Sequence, residues 1–197
     1  MNSKIDKLAA AILVGGKSTR MGVDKATLKI LSKSGEITFA RKLADEMEEF
    51  DEKYLSINSS SRCRLENFIS ISDIVQDIGP LGGIYAVLSQ SKKDYVLFAA
   101  CDMPKLSKEA IMHLVNSWNG EDMCIAFTKT GRHPLFGIYG KTCIPKIKEL
   151  IDGKSYKPIL LMECVNSKLV DMSEYEECLM NINTVDDYKK FMGEPSC

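Results

Sequence analysis

Short apolar runs alternate with longer amphipathic segments along the chain. The apolar runs that read as strands cover residues 8–14, 54–58, 68–72, 95–100 and 123–127. Between them, apolar side chains recur at helical spacing. One such helical face carries Phe39, Leu43, Met47 and Phe50. This alternation predicts an α/β protein built from parallel βαβ units, with helices on both faces of one sheet in a three-layer α/β/α arrangement.

Two helix starts are marked by side chains that can bond to free backbone N–H groups. Ser107 can cap the helix that follows it. Thr184 with Asp187 three residues later predicts a capping box that opens a last helix over residues 185–191. No internal repeat, low-complexity tract or proline-rich linker divides the 197 residues. We therefore expect a single domain over residues 1–197, a length that suits one sizeable core.

Charge and cysteine content narrow the expected partners and sites. The 26 Lys and Arg balance 27 Asp and Glu, so we expect no binding to nucleic acid or to an anionic membrane. The seven cysteines form no C-x-x-C pair, which favours reduced thiols over disulfides or a zinc site. No signal pattern and no apolar run of roughly 20 residues is present, which favours a cytoplasmic protein. With two histidines, any metal should be a hard ion on oxygen ligands.

A glycine-rich segment with three cations directly follows the first predicted strand. Residues 13–25 read LVGGKSTRMGVDK. Glycines let backbone N–H groups approach phosphate oxygens, and Lys17, Arg20 and Lys25 can neutralise the phosphate charge. The segment therefore predicts a site for a nucleoside triphosphate. An ordinary strand-to-helix turn with a solvated basic rim is the alternative.

Two better-known phosphate motifs do not fit this segment. A Walker A loop needs a glycine five positions before Gly16, and that position is Ala11, inside the strand. The dinucleotide fingerprint needs spaced glycines, whereas Gly15 and Gly16 are adjacent and the next glycine is Gly22. The sequence therefore predicts a third kind of phosphate loop.

A carboxylate ends the fourth predicted strand. Residues 95–100 are apolar, Asp102 follows them, and Pro104 then prevents further strand pairing. Ligands of an open parallel sheet bind beyond the carboxyl ends of the strands, so Asp102 and the glycine-rich segment should share one edge. There Asp102 is a candidate Mg²⁺ ligand beside the triphosphate. Capping of the turn before Pro104 is the alternative.

Asp73 ends the third predicted strand and precedes a second glycine-rich segment, GPLGG at 79–83. Gly82 and Gly83 would permit close approach of a flat ring or a phosphate. The Asp73 carboxylate can accept hydrogen bonds from a guanine edge or bind ribose. Asp73 and Gly82 are therefore candidate nucleotide contacts, with plain turn chemistry as the alternative for 79–83.

Five sequence blocks resemble the molybdenum cofactor guanylyltransferase family, the molybdopterin-guanine dinucleotide biosynthesis protein A type of the nucleotidyltransferase superfamily. The blocks are LVGGKSxRMGxDK at 13–25, GPLGGI at 79–84, CDMP at 101–104, HP at 133–134 and NINT at 181–184. The first is highly specific, and in order they span nearly the whole chain. The resemblance implies a Rossmann-like nucleotidyltransferase fold with a mostly parallel sheet. It also implies an enzyme that transfers GMP from GTP to Mo-molybdopterin and releases pyrophosphate with Mg²⁺.

The resemblance also assigns roles to individual positions. The guanine nucleotide would be held by Leu13, Val14, Gly15, Gly16, Asn58 and Asp73, with Lys25 on its phosphates and Asp102 on Mg²⁺. The incoming phosphate is already a nucleophile, so no catalytic base is needed. Catalysis would then consist of alignment and of charge neutralisation at the α-phosphate by Mg²⁺, Lys25 and Arg20.

The base and the acceptor are less defined by the sequence. A sister family transfers CMP, and it differs from this chain at the Gly15 position and at 79–83, which favours GTP here. The resemblance thins at residues 154–157, which read KSYK where many members carry an arginine. His133 and Asn183 could line the acceptor side or make structural hydrogen bonds.

The expected partners are GTP and Mo-molybdopterin, together with a molybdoenzyme or another protein of the cofactor pathway. Two enzyme alternatives are a CTP-dependent cytidylyltransferase of the same pathway and a sugar-1-phosphate nucleotidyltransferase. A nucleotide-binding adaptor that delivers the cofactor without catalysis is the alternative from another class.

Overall fold

A computed structural model describes residues 3–14, 25–32, 35–58, 61 and 63–193. The strands among them are β1 (Leu8–Leu13), β2 (Lys29–Ser32), β3 (Gly35–Thr38), β4 (Lys53–Ile57), β5 (Ile69–Ser72), β6 (Tyr95–Ala100), β7 (Met123–Thr128), β8 (Gly131–Gly140) and β9 (Ser167–Asp171). The α-helices are α1 (Phe39–Asp45), α2 (Pro80–Gln90), α3 (Lys108–Ser117), α4 (Ile144–Asp152) and α5 (Val185–Gly193).

Seven strands form one sheet in the order β5-β4-β1-β6-β8-β7-β9, while β2 and β3 form a separate antiparallel hairpin. Every neighbouring pair in the large sheet is parallel except the two pairs that involve β8. The carboxyl ends of the other strands and the amino end of β8 therefore lie at one edge of the sheet. This confirms the predicted α/β fold with a mostly parallel sheet.

Helices cover both faces of the sheet, as the alternating pattern predicts. On one face, α1 and α3 contribute Leu43 and Ile111 to a buried core, and on the other, α2 and α4 contribute Ile84 and Ile147 to a second core. All six residues of β1 are buried because the strand is covered on both sides. The sheet with its two cores thus forms the predicted three-layer arrangement.

Three parts of the strand pattern were not predicted: the β2–β3 hairpin, β8 and β9. In β8, Pro134 and three glycines disfavour a strand assignment. The register with β7 shifts there, because Ile125 pairs with Gly137 while Ala126 pairs with His133. The irregular pairing accommodates Pro134, which has no N–H to donate. Strand β9 escapes prediction because its five residues include two charged ones.

The predicted N-cap of α3 is present at Ser107. The Ser107 side chain accepts a hydrogen bond from the Ala110 N–H. Helix α1, in contrast, is shorter than its apolar face suggests. Helix α1 ends at Asp45, so Met47 and Phe50 pack into the core from the turn that follows it. Within the described part of the chain, no helix has both the length and the apolar character needed to cross a membrane.

Candidate active site

Backbone hydrogen bonds join the carboxyl ends of the central strands. The Val14 N–H donates to the Ser56 carbonyl oxygen at 3.0 Å, and the Cys101 N–H donates to the Leu13 carbonyl oxygen at 3.1 Å. The residue that leaves β1 is thereby held between the ends of β4 and β6. The predicted common edge for the first loop and Asp102 is therefore present where the structure describes it.

The structure describes the predicted phosphate loop only at its two ends, residues 13–14 and residue 25. Gly15, Gly16 and Arg20, with Lys17, lie outside the described residues. Leu13 and Val14, on its near side, are buried, and their side chains enter opposite cores. Their side chains therefore serve packing, and the Leu13 carbonyl and the Val14 N–H are already engaged in the hydrogen bonds that join the strand ends.

Lys25, on the far side of that loop, lies at the end of β6. Its Nζ atom is 3.3 Å from Oδ2 of Asp102, and the two side chains are 18% and 20% exposed. The same ammonium donates to Oδ1 of Asn183 at 2.7 Å. A partly buried cation and a carboxylate thus stand together at the edge where a parallel sheet binds ligands. The structure brings together two of the predicted catalytic residues.

The second carboxylate oxygen of Asp102 indicates room for a ligand. Oδ1 is buried and has no hydrogen-bond partner among the described residues. A buried carboxylate oxygen normally has a partner, so this atom points to a group that binds there. The described residues contain no cluster of three His, Cys, Asp or Glu side chains that could hold a metal. A lone carboxylate with a buried oxygen fits Mg²⁺, which proteins commonly bind through one or two carboxylates together with phosphates and water.

Asn58 and Asp73 follow the neighbouring strands β4 and β5. The Asp73 N–H donates to the Ile57 carbonyl oxygen at 3.3 Å, which places Asp73 beside the end of β4. Burial raises the pKa of the Asp73 carboxyl from the ordinary value of 3.8 to about 6. The structure thus places both residues on the edge that Lys25 and Asp102 occupy, on the side of β1 away from β6.

Gly82 lies inside α2 rather than in the turn before it. The turn residue is Gly79, whose φ of +68° favours glycine, and Pro80 begins the helix. Gly82 is buried, its N–H donates to the Gly79 carbonyl oxygen, and a Cβ there would lie 3.0 Å from the Val75 carbonyl oxygen. Its small size is therefore explained by packing, and the predicted nucleotide contact of Gly82 gains no support from its position.

Asn183, a candidate from the sequence for the acceptor side, lies in the segment before α5 and contacts Lys25. The Ile182 N–H donates to the Asp102 carbonyl oxygen at 2.8 Å, next to the bond between Asn183 and Lys25. The NINT block at 181–184 was noticed as a motif, but nothing in its sequence indicates which residue its asparagine contacts.

His133 lies at the amino end of β8, and so at the same edge of the sheet. Its Nε2 atom is 3.1 Å from Oγ1 of Thr128, a buried hydroxyl that also pairs with Oγ1 of Thr130 at 2.8 Å. Burial lowers the pKa of the His133 imidazole below its ordinary value. His133 is therefore a half-buried side chain hydrogen-bonded to Thr128, as the structural alternative expects, and its place on the acceptor side stays a prediction.

A separate groove of about 570 Å³ lies between α3 and β9. Its lining includes His113, Lys168 and Tyr175, and none of the predicted site residues. Lys168 Nζ donates to the Ser117 carbonyl oxygen at 2.6 Å, so its charge is engaged within the protein. The chemistry expected from the sequence lies at the strand ends instead.

Comparison with known proteins identifies relatives of this chain. A family model for the MobA-like NTP transferase domain matches residues 10–165. A protein named "Probable molybdenum cofactor guanylyltransferase" from Flavobacterium johnsoniae is 32% identical over 185 residues, which cover 93% of this chain and 95% of that protein. A protein of the same name from Clostridium perfringens is 31% identical over 192 residues, with 93% and 95% covered.

The fold is also shared with a solved structure. Molybdopterin-guanine dinucleotide biosynthesis protein A from Archaeoglobus fulgidus superposes with a TM-score of 0.76 at 24% identity, covering 93% of this chain and 96% of that one. The family match extends from β1 to the residues before β9 and includes Lys25, Asp73 and Asp102. The chain therefore belongs to the MobA-like NTP transferase family, alongside the molybdenum cofactor guanylyltransferases, and is a nucleotidyltransferase.

Proposed function

We propose that this protein transfers GMP from GTP to the phosphate of Mo-molybdopterin, releases pyrophosphate and requires Mg²⁺. The observation that carries the proposal is the pairing of Lys25 Nζ with Asp102 Oδ2 at 3.3 Å, directly beyond the ends of β1 and β6. A cation for phosphate and a carboxylate for a hard metal are the two groups that phosphoryl transfer needs. The names of the relatives support guanine as the base and the molybdenum cofactor as the product.

The residues of this chain would act by holding and aligning the reactants. Lys25 would bind the phosphates, and Leu13 and Val14 would hold the guanine nucleotide at the start of the loop, as the family resemblance implies. Mg²⁺, bound to Asp102, would neutralise phosphate charge and polarise the reacting phosphoryl group. The acceptor is a phosphate monoester and needs no proton removed, so no general base is assigned. Gly15, Gly16 and Arg20 complete the proposed phosphate site from sequence alone.

Asp73 is the residue that we assign to the base or ribose. Burial raises the pKa of its carboxyl, and among the described residues no charge or hydrogen bond offsets that effect. The N1–H and amino group of guanine could supply the missing donors, and Asn58 would contact the same nucleotide. Because GTP is an intracellular metabolite, we also place the enzyme in the cytoplasm.

Calorimetric titration with GTP, CTP and UTP in Mg²⁺ tests the base, and pyrophosphate release in the presence of Mo-molybdopterin tests the reaction. We expect GTP to bind most tightly and to support turnover. Tighter binding of CTP would replace the proposal with a cytidylyltransferase. Tight GTP binding without pyrophosphate release would favour the cofactor-delivery adaptor.

A further inference from the structure

The Lys25 ammonium is shared between two acceptors from different parts of the chain. Nζ donates to Asn183 Oδ1 at 2.7 Å and to Asp102 Oδ2 at 3.3 Å. An ammonium has three N–H donors, so both bonds can exist together with a third to a ligand. The shorter of the two is the bond to the neutral amide.

Asn183 is itself held in place from both sides. Its backbone N–H donates to Oδ2 of Asp187 at 3.1 Å, and Asp187 forms a reciprocal capping box with Thr184, with bonds of 2.8 and 3.0 Å. The residue before it, Ile182, donates to the Asp102 carbonyl oxygen at 2.8 Å. The Asn183 amide is therefore positioned relative to both Lys25 and Asp102.

Helix α5 in turn packs against the hairpin that follows Lys25. The Tyr188 hydroxyl donates to the Lys29 carbonyl oxygen at 2.8 Å. The rings of Tyr188 and Phe191 contact Phe39 edge-on, with centroids 5.9 and 5.6 Å away. Helix α5, which follows Asn183, is thus docked onto β2 and the start of α1, which follow Lys25 in the chain.

Asp102 has two roles that compete in the proposed reaction. It is the ionic partner of Lys25, and it is the residue that would bind Mg²⁺. When the carboxylate holds a divalent cation, its attraction for the lysine falls and the two cations repel each other. A long lysine side chain with no other anchor would then regain its rotamer freedom and leave the phosphates.

We propose that Asn183 is a positioning residue that keeps Lys25 at the phosphates while Asp102 holds Mg²⁺, an inference that rests on the proposed function. A neutral acceptor suits this task, because its hydrogen bond does not lower the positive charge that the phosphates attract. Asn183 acts through Lys25 and not on the reactants directly.

A double-mutant cycle on Lys25→Met and Asn183→Ala tests this role, with GTP affinity measured by calorimetry in Mg²⁺ and in EDTA. We expect Asn183→Ala to weaken GTP binding about tenfold in Mg²⁺, the value of one hydrogen bond to a charged group. In EDTA, Asp102 still holds the lysine, so the loss should be no more than about threefold. In the Lys25→Met background, Asn183→Ala should cause no further loss in either condition.

Asn166→Ala provides the control, because Asn166 is an exposed asparagine at the opposite edge of the sheet, beside the start of β7. Its GTP affinity should equal that of the parent. Asn183 is also exposed, so the melting temperature of Asn183→Ala should stay at the parental value.

Three results would overturn the inference: an equal loss in Mg²⁺ and EDTA, a loss that persists without Lys25, or no loss in Mg²⁺. The second would assign Asn183 to direct contact with a ligand. The proposed function is tested separately, since it fails if the parent protein prefers CTP or UTP. The cycle can then be run with the preferred nucleotide, and its outcome still decides the role of Asn183.

Discussion

Gly83 of α2 lies against Ser56 of β4 so closely that a Cβ at position 83 would stand 2.4 Å from Ser56 Oγ. The same Cβ would lie 3.2 Å from a methyl group of Leu13, the last residue of β1. The absence of a side chain at position 83 therefore sets how closely α2 approaches the strand that leads into the phosphate loop.

Gly83→Ala should lower the free energy of unfolding by about 1–3 kcal/mol, because the buried contact leaves no room for the added methyl group. Ser56→Ala in the same chain removes the nearest atom and should restore most of that loss. Chemical denaturation of the single and double variants measures both effects. Gly193→Ala serves as the control, since nothing lies within 4 Å of a Cβ there. A double variant as unstable as Gly83→Ala would show that Ser56 is not the obstacle.

Asp102→Ala and Asp102→Asn should abolish Mg²⁺-dependent pyrophosphate release, with a loss of at least about 100-fold, while the fold is retained. The Asn variant replaces the carboxylate by an amide of nearly the same shape. In the parent protein, Oδ1 of Asp102 is buried without a partner among the described residues, where it would bind the metal. Turnover is measured by pyrophosphate release, metal affinity by Mn²⁺ titration, and the fold by circular dichroism.

Asp171→Asn is the matched control for Asp102. It removes the same charge at the end of β9, where the carboxylate accepts bonds from Ser173, and an amide oxygen can replace that acceptor. Turnover of this control should match the parent. Unchanged turnover in Asp102→Asn would show that the metal assignment is wrong.

Asp73 should make both stability and GTP binding depend on pH. Its pKa in the folded state is about 6 against 3.8 in the unfolded chain, so the folded state binds more protons between these values and its stability falls as pH rises through them. Asp73→Asn should therefore raise the free energy of unfolding near neutral pH by about 1–2 kcal/mol. Denaturation at several pH values measures this gap, which should close near pH 4.

GTP binding should show the opposite trend if the ionised Asp73 accepts hydrogen bonds from the nucleotide. With a pKa of about 6, roughly nine-tenths of the carboxyl is protonated at about pH 5, so affinity should fall about tenfold relative to about pH 7.5. Asp73→Asn supplies the baseline, because it keeps the titration of the phosphates and removes that of the carboxyl. Parallel curves for the parent and the variant would rule out this role.

Glu52 should matter for stability and not for catalysis. Oε1 accepts bonds from the Tyr54 hydroxyl at 2.6 Å, the Ser91 hydroxyl at 3.0 Å and the Lys92 N–H at 2.8 Å, at the amino ends of the strands. Glu52→Ala should cost about 1.5–3 kcal/mol of unfolding free energy and leave kcat/KM for GTP unchanged. A fall in kcat/KM at a temperature where the variant is folded would contradict the separation of the two edges.

The pH dependence of the Glu52 effect follows from its pKa. Burial alone would raise the pKa of this carboxyl, but the bonds from Tyr54, Lys92 and Ser91 outweigh burial and hold it below 4.5. A carboxyl whose pKa is lower in the folded state than in the unfolded chain stabilises the fold at pH values above the unfolded pKa. That contribution is lost as the pH falls through the folded-state pKa. The stability difference between the parent and Glu52→Ala should therefore narrow below about pH 4.5.

The sequence was most informative where a strand is buried on both sides. Strands β1 and β6 are continuous apolar runs, and the predicted and observed bounds agree within one residue. Once the sheet was known to be mostly parallel, the shared edge of Val14 and Asp102 followed from topology. Strand β8 could not be predicted this way, because a proline and three glycines interrupt its apolar pattern and its irregular register with β7 is a tertiary property.

Contacts between segments that are distant in the chain could not be predicted from the sequence. Lys25 and Asn183 are 158 positions apart, and tertiary contacts bring them together: the bond from Ile182 to the Asp102 carbonyl and the docking of α5 on β2. The buried position of Gly82 and Gly83 inside α2 likewise depends on tertiary packing that the sequence does not reveal. Their sequence pattern predicts a nucleotide contact, which stays a prediction, and the structure adds that the helix begins before them and that both are buried.

Because β8 runs in the reversed direction, the rim of the sheet has two parts that tolerate insertions and substitutions differently. On one side, β5, β4, β1 and β6 are all parallel, so their carboxyl ends lie side by side in one fixed geometry. On the other, β7 and β8 are joined by a short turn, and the tip of that hairpin faces the same solvent. Residues can therefore be inserted or exchanged at this tip without disturbing the parallel strands whose ends carry Val14, Asn58, Asp73 and Asp102.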